Sequence, residues 1–533
     1  MYRLRAKRFA MGLAVLTAAM GLLLSGTQSV AATFRAVPSA DVKYLDPHFT
    51  TADITLTYSY LVYDTLFGLD AKGEPQPQMV DKYDVSPDRL TYTFTLRKGL
   101  QWHDGKPVTS KDVVASLKRW GSKDSAGQRL LARTVSLEAV NDATFRLKLK
   151  EPYGLVLRSL AKPYSYIPFI LPERHATQSA DKPFEGDPVG SGPYTFSKAE
   201  WVPGSKMIFH KFKDYVPRSE PASGTAGAKN VYVDQVEWVI IPDPATAAAA
   251  LDRGEVDYLE VPFKDLLDQM RADPRMHVFP AARYYRTIHP NKLIPPFDNV
   301  KARQALAYLV SVPDILRAVA GDPKNWEACY KFLGCSGWLS DVDEIPGLRG
   351  QDYEKAAQLM KEAGYKGEKV VLMGATEMQA NYAISVTLAS QIRKAGINVD
   401  FQTMDWGTLV SRRGIKEAPG PGNPGGWHIF TTGAGTTPAE DPWGYADIQT
   451  TCEKAWYGWS CSPKTTADLE QLGKDVGTPR FKESARRYHA DLNEYLPYIP
   501  VGVYNAYRVY RKDVVSGIIE NEYSLYWNIR KSK

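Results

Sequence analysis

The sequence predicts an α/β protein, and three observations carry that prediction. Segments with a period of two alternate along the chain with segments that carry helix start and stop signals. A helical pattern over 377–395 stops at Gly396, and Ile397, Val399 and Phe401 then alternate as a strand, the helix-to-strand connection of α/β layers. The balance of 44% apolar, 24% charged and 11% aromatic residues is that of a folded globular chain, and 533 residues suffice for about three domains. Disordered, collagen-like and coiled-coil classes are excluded by the same figures.

Residues 1–32 read as an export signal. Arg3, Arg5, Lys7 and Arg8 precede an apolar run over 9–24, and small residues lead to Ala31-Ala32. The run falls short of the roughly 20 residues of a membrane-spanning helix. Thr27 follows Leu24-Ser25-Gly26 where a lipid-anchored protein would carry Cys, so a soluble exported protein is expected. The segment holds four basic residues and no acidic one, so most of the net charge of +6 lies in it. No Lys/Arg run remains for nucleic acid or an anionic membrane surface.

The elements then follow in order. Tyr92, Phe94 and Leu96 alternate with polar residues as a half-buried strand, and Phe145, Leu147 and Leu149 do the same. Thr109 is placed to cap a helix over 110–120, with Asp112 in its first turn. Val231 to Ile241 reads as one long β-branched and aromatic strand region. A helix over 244–253 begins at Pro244 and stops at Gly254, and another over 352–363 begins at Asp352 and stops at Gly364. Residues 217–230 and 414–426, small, polar or rich in Gly and Pro, read as linkers or surface excursions.

Four cysteines lie in two close pairs, Cys329 with Cys335 and Cys452 with Cys461. Three connectivities are open, local pairing into two disulfides is the simplest, and a zinc site is the rival.

Catalytic signatures are missing from the sequence. It has no H-E-x-x-H, no phosphate-binding loop and no dinucleotide fingerprint. Gly190-Ser191-Gly192 lacks the spacing of a nucleophile elbow. His103-Asp104 falls in a turn between a strand and a capped helix. A binder with no catalytic residue, no cofactor and no metal is therefore expected. The alternative is an exported hydrolase built on dispersed carboxylates such as Glu440 and Asp441.

Several separated motifs carry a resemblance. They are Asp46-Pro47-His48 with Tyr63-Asp64-Thr65-Leu66-Phe67; the run from Tyr92 to Thr109 with its Gly99-Leu100-Gln101-Trp102-His103-Asp104-Gly105 centre; Pro188-Val189-Gly190-Ser191-Gly192-Pro193-Tyr194; Arg253-Gly254-Glu255-Val256-Asp257; and Pro296-Phe297-Asp298-Asn299-Val300 continuing to Ala307. In this order they resemble the extracellular solute-binding protein family 5, the periplasmic dipeptide, oligopeptide and nickel binding proteins of ABC importers. The resemblance implies a two-lobed periplasmic binding protein fold, type II-like of cluster C, with an extra inserted domain. It implies a discontinuous first-lobe domain from 33–70, 190–285 and 505–533, an inserted domain at 71–189 and a second lobe at 286–504. The partners it implies are a small-molecule ligand (a peptide, an opine, an oligosaccharide or a metal chelate) and the permease subunits of the importer in the inner membrane. The protein itself is expected to be a monomer.

The same resemblance points to pocket residues. In the segment Asp405–Arg413, Arg413 matches an arginine near the ligand and Trp406 a wall aromatic. Thr51 and Asp53 match a first-lobe lining segment, and Tyr284 and Tyr285 lie near the crossover between lobes. His48 and His289 are the histidines nearest the expected cleft. Peptide binders read G-W-x-A-D where this chain reads Gly433-Ala434-Gly435-Thr436-Thr437, so Thr437 stands in place of the Asp that holds a peptide amino terminus. An anionic or neutral polar ligand is expected over a zwitterionic peptide, unless Glu440 or Asp441 supplies the missing carboxylate.

Overall fold

In the computed structural model, residues 32–532 are described except 263, 334, 336–341, 437–440 and 476–477. Residues 1–31 of the signal expected over 1–32, together with Thr437 and Glu440, lie outside the described residues. The period-two segments form strands as expected. Thr91–Leu96 buries Tyr92, Phe94 and Leu96 and pairs antiparallel with Thr144–Leu149, where Phe145 stacks on Phe94 with ring centroids 4.8 Å apart. Val80–Val85 and Thr134–Asn141 complete a four-stranded antiparallel sheet. The helix Ser110–Lys123 begins with a capping box between Thr109 and Asp112 and adds Val113, Leu117 and Trp120 to that sheet's core.

A second, larger sheet spans the rest of the molecule. Its described order is Tyr194–Phe196, Lys206–Lys211, Gln235–Val239, Thr33–Val37, Tyr258–Leu259, Ile499–Arg511, Met276–Pro290, Ile429–Gly435, Val370–Ala375 and Val399–Met404, with Trp326–Ala328 paired to Ile499–Arg511. The helix Gln379–Lys394 connects the parallel neighbours Val370–Ala375 and Val399–Met404, as the sequence pattern indicated. Two of the strands are unusually long. Met276–Pro290 and Ile499–Arg511 pair antiparallel and cross from one hydrophobic core to another. Phe279 packs with Phe34, Tyr58 and Trp238, whereas Ile288, Ile499 and Val501 pack with Leu306, Leu388 and Leu492. The register shifts between Pro280 and Ala282 and between Arg286 and Thr287. Such bulges bend a strand and re-aim its side chains.

Asp46 explains why its motif sits where it does. It accepts both Nη groups of Arg119 at 2.9 and 2.8 Å and the N–H groups of His48 and Phe184. Both partners are almost completely buried. The pair therefore welds the segment around Asp46 to the helix Ser110–Lys123. Lys229 and Asp64 form a second buried pair at 2.7 Å.

Three expectations change in detail. The run 231–241 contributes a strand only over Gln235–Val239, the stretch that pairs with Thr33–Val37 on one side and Lys206–Lys211 on the other. Residues 225–229, expected in a surface excursion, are buried. Their small side chains let the chain press against the strand Phe67–Leu69, and a Cβ at Gly68 would overlap the Thr225 carbonyl. The loop at 414–426 is anchored, since the Arg412 guanidinium donates to the carbonyls of Pro424, Gly425 and Gly426. Cysteines 329 and 335 are joined by a disulfide, as are 452 and 461. The zinc alternative is thereby set aside.

Candidate ligand-binding site

A cavity of about 380 Å³ opens between the two cores, beside the paired crossover strands. Helix geometry supplies its first wall. Residues 53–62 form a helix whose body is buried, and its N-terminal Thr51, Ala52, Asp53 and Ile54 face the cavity. Strand alternation supplies the second wall. Along Met276–Pro290, Tyr284 and Arg286 face the cavity, and Tyr504 and Arg508 do so from the neighbouring strand.

Tyr285 requires a correction. A period of two sends it to the face opposite Tyr284, into the core, where it is fully buried and its hydroxyl donates to the Lys331 carbonyl at 3.3 Å. Tyr284 takes the place at the cavity that Tyr285 was expected to share.

Arg413 ends the helix Trp406–Arg412, which Asp405 caps through the Thr408 N–H. It is 1% exposed and lines the cavity. Its guanidinium carbon lies 4.4 Å from the Tyr457 ring centroid, 5.2 Å from that of Trp456 and 5.9 Å from that of Trp406. Its Nη2 donates to Thr51 Oγ1 at 3.4 Å, and Trp456 Nε1 donates to the same oxygen at 3.1 Å. Arg413 Nε has no partner, and no carboxylate among the described residues lies within ion-pair distance of the group. An arginine cannot shed its proton in a protein, so this buried charge calls for an anion.

Arg286 is held differently. Its guanidinium carbon lies beside the stacked rings of Tyr284 and Tyr504, 5.0 and 5.1 Å from their centroids. Its Nη1 donates to Asn381 Oδ1 at 3.0 Å and its Nη2 to the Tyr504 hydroxyl at 2.7 Å, while Nε is buried and unpartnered. Gly433 makes room for it, because a Cβ there would overlap the Tyr285 carbonyl and the Arg286 side chain. Trp406, Gly433 and Ala434 also line the cavity.

Carboxylates face these arginines. Asp53 lines the cavity, and burial raises its pKa to about 6 against the lowering influence of Arg286. Glu260 is spoken for, since it accepts from the Ser39 N–H, the Ser524 hydroxyl and Arg508. Asp447 lines the cavity too. It accepts from the Tyr445 hydroxyl at 2.9 Å and lies 3.2 Å from His289 Nε2. Burial lowers the His289 pKa although Asp447 opposes that shift. His48 is fully buried at the Asp46–Arg119 pair, where burial and Arg119 push its pKa down to about 3. Asp441, a candidate for the missing carboxylate, is engaged by the Tyr164 hydroxyl and by the N–H groups of Trp443 and Gly444. Sequence reading missed Arg286, Asp447, Trp456 and Tyr504. Only Arg286 had a usable signal, its place two residues after Tyr284 on a strand.

Comparison with known proteins decides the family. Residues 74–456 match the model of the bacterial extracellular solute-binding proteins, family 5 Middle. This chain belongs to that family. It is 37% identical over 497 residues to a probable peptide ABC transporter periplasmic-binding protein, y4tO of Sinorhizobium fredii, covering 92% of each chain. Two solved structures share the fold at 21% identity and a TM-score of 0.76, each covering 94% of this chain. One is the periplasmic binding protein AgaA of A. tumefaciens R10 with agropinic acid, 99% covered, and the other is DppA of Helicobacter pylori with the peptide STSA, 98% covered. The chain is a two-lobed periplasmic solute-binding protein of an ABC importer, and it is not an enzyme. The hydrolase alternative finds no support in any of these likenesses, and Asp441 is already engaged.

Proposed function

We propose that this protein captures a small solute bearing an anionic group, a short peptide or an opine-like conjugate, between Arg413 and the aromatic wall of the cavity. The single observation that carries this reading is the buried Arg413 guanidinium, which faces a cavity of about 380 Å³ with no carboxylate partner among the described residues. A ligand carboxylate there gains charge-assisted hydrogen bonds in a water-poor site. Trp406 and Trp456 supply apolar area beside it, and Thr51 and Gly433 shape the opening. The names of the relatives favour peptides and opines over oligosaccharides and metal chelates.

In this reading residues 1–32 are removed on export, and the mature chain works as an unanchored monomer. Residues 33–70, 190–285 and 505–533 form one lobe with the insertion 71–189, and 286–504 form the other. Ligand favours the closed arrangement by its greater affinity for it, and the closed form is handed to the permease. Calorimetry and product analysis on the purified mature protein test this together. Saturable binding of a peptide or opine with the compound recovered intact is expected. Consumption of the bound compound over many cycles would overturn the reading.

A further inference from the structure

The cavity holds charges of both signs that do not pair with one another. Arg286 and Arg413 are 6% and 1% exposed, each with an unpartnered Nε, and neither forms an ion pair among the described residues. Asp53 lines the same cavity and makes no hydrogen bond or ion pair among the described residues. Glu522, half-buried, adjoins the cavity-lining Tyr523, faces the Gly435 N–H and lies within electrostatic range of Asp53. The strand is built for this carboxylate: a Cβ at Gly435 would overlap it. The Asp53 charge raises the pKa of Glu522, and both carboxyl groups lie within electrostatic range of Tyr284 and Tyr523.

Free charges of opposite sign in one enclosure would ordinarily collapse into ion pairs. Here the geometry keeps them apart. Arg286 is held beside two stacked tyrosine rings by Asn381 and the Tyr504 hydroxyl, Arg413 is held among Trp406, Trp456 and Tyr457, and Asp53 is fixed at the start of a buried helix. Such an arrangement is completed by a molecule that carries both signs. Resting on the solute-binding role of the cleft, we propose that Asp53 and Glu522 form its cation end. The ligand they would take carries a protonated amine a few bonds from the carboxylate that Arg413 binds. The carboxylate missing at Thr437 in the sequence is thus supplied from two other places, the start of the first buried helix and the C-terminal segment. An amino terminus of a peptide and the secondary amine of an opine share this chemistry.

Protonation supports the assignment. Burial and the Asp53 charge hold the Glu522 pKa at about 8, against Arg508 and the Gly435 N–H. Burial holds Asp53 at about 6, with Glu260 raising it and Arg286, Arg508 and Arg413 lowering it. A bound ammonium favours the ionised forms, so it lowers both values and displaces protons on binding.

The test is calorimetry near neutral pH in buffers of different ionisation enthalpy, with the mature protein freed of any bound compound by unfolding and refolding. The probes are the dipeptide Met-Leu, its N-acetylated form, and an opine with a secondary amine. At least one amine-bearing probe is expected to bind, releasing about one proton per molecule. Met-Leu tighter than the opine assigns the amine to a peptide terminus, and the reverse order assigns it to an opine. N-acetylation is expected to weaken binding at least tenfold and to abolish the proton release. Asp53→Asn and Glu522→Gln should each narrow the gap between the free and acetylated forms. If either variant fails to fold, the proton count in the parent still decides. Equal binding of free and acetylated forms with no proton release overturns the cation end and leaves the solute-binding role intact. No binding by any probe overturns both.

Discussion

Asp46 and Arg119 face each other with side chains about 1% exposed, and Asp46 also accepts two backbone N–H groups. Removing one member of such a pair leaves a buried charge unmatched. Asp46→Ala should therefore cost about 3–5 kcal/mol in urea unfolding. A loss below about 1 kcal/mol would mean that water reaches Arg119 there. Arg413, in the proposed reading, offers the contrast of a buried charge held for a partner outside the chain. Arg413→Ala should lose about 1.5–3 kcal/mol of binding to a carboxylate-bearing ligand, read by calorimetry. Arg413→Lys should recover only part of it, because an ammonium lacks the planar fork. Glu522 adds a pH signature. The raised values of Asp53, to about 6, and Glu522, to about 8, lie above those of the unfolded chain. The folded protein thus binds more protons than the unfolded one between about pH 4 and 8, and these two groups lower stability as pH rises through that window. Glu522→Gln should be more stable than the parent at pH 8, by on the order of 2 kcal/mol, with the difference vanishing near pH 4.5. A pH-independent difference in paired urea titrations would count against the assignment.

Elements close the cleft at two separate places. Beside the cavity, Thr51, just before the first helix, meets Arg413 and Trp456, and the hydroxyls of Tyr44 and Ser411 lie 3.0 Å apart. Away from it, the helix Ser125–Ala132 presents Arg129 to Glu470 at 3.0 Å, with further bonds to Gln449 and to the Trp443 carbonyl. Arg133 reaches the same glutamate at 2.8 Å. These contacts exist only with the two sides together. Arg129→Ala should shift the population toward the open form and lower the apparent affinity about 3–10-fold for every ligand alike. Small-angle scattering would show the expansion of the ligand-free protein. A change in ligand rank order would mean that the helix acts on the cavity and not on closure.

At the scale of the whole molecule, two strands are shared between two cores, so the proposed closure would be a bend with little sliding. The bulge between Arg286 and Thr287 and the positive φ of Gly502 lie in that shared strip, where backbone angles can change without opening either core. Each disulfide lies within one region, at sequence separations of 6 and 9, so neither restrains closure. Peptide mapping without reduction should yield two linked fragments, and loss of either bond should cost roughly 2–3 kcal/mol without changing ligand selectivity.

Local chemistry wrote much of this fold directly into the sequence. The alternation at Tyr92, Phe94 and Leu96, the Thr109 and Asp112 cap, and the Pro244 start and Gly254 stop each depend on residues within one turn or one strand. The cysteine pairing was legible for the same reason, since each loop is short. The family motifs located Thr51, Asp53, Trp406, Gly433 and Arg413, and these do surround one cavity. What the sequence could not decide was which charges would meet. Tyr285 and Tyr284 are neighbours in the chain, and only the strand's facing sends one to the core and the other to the cavity. Asp53 and Glu522 are separated by most of the chain and come together only because the C-terminal segment returns to the first buried helix. A pocket's polarity is a sum over residues gathered from many elements, and that sum exists only once the chain has folded.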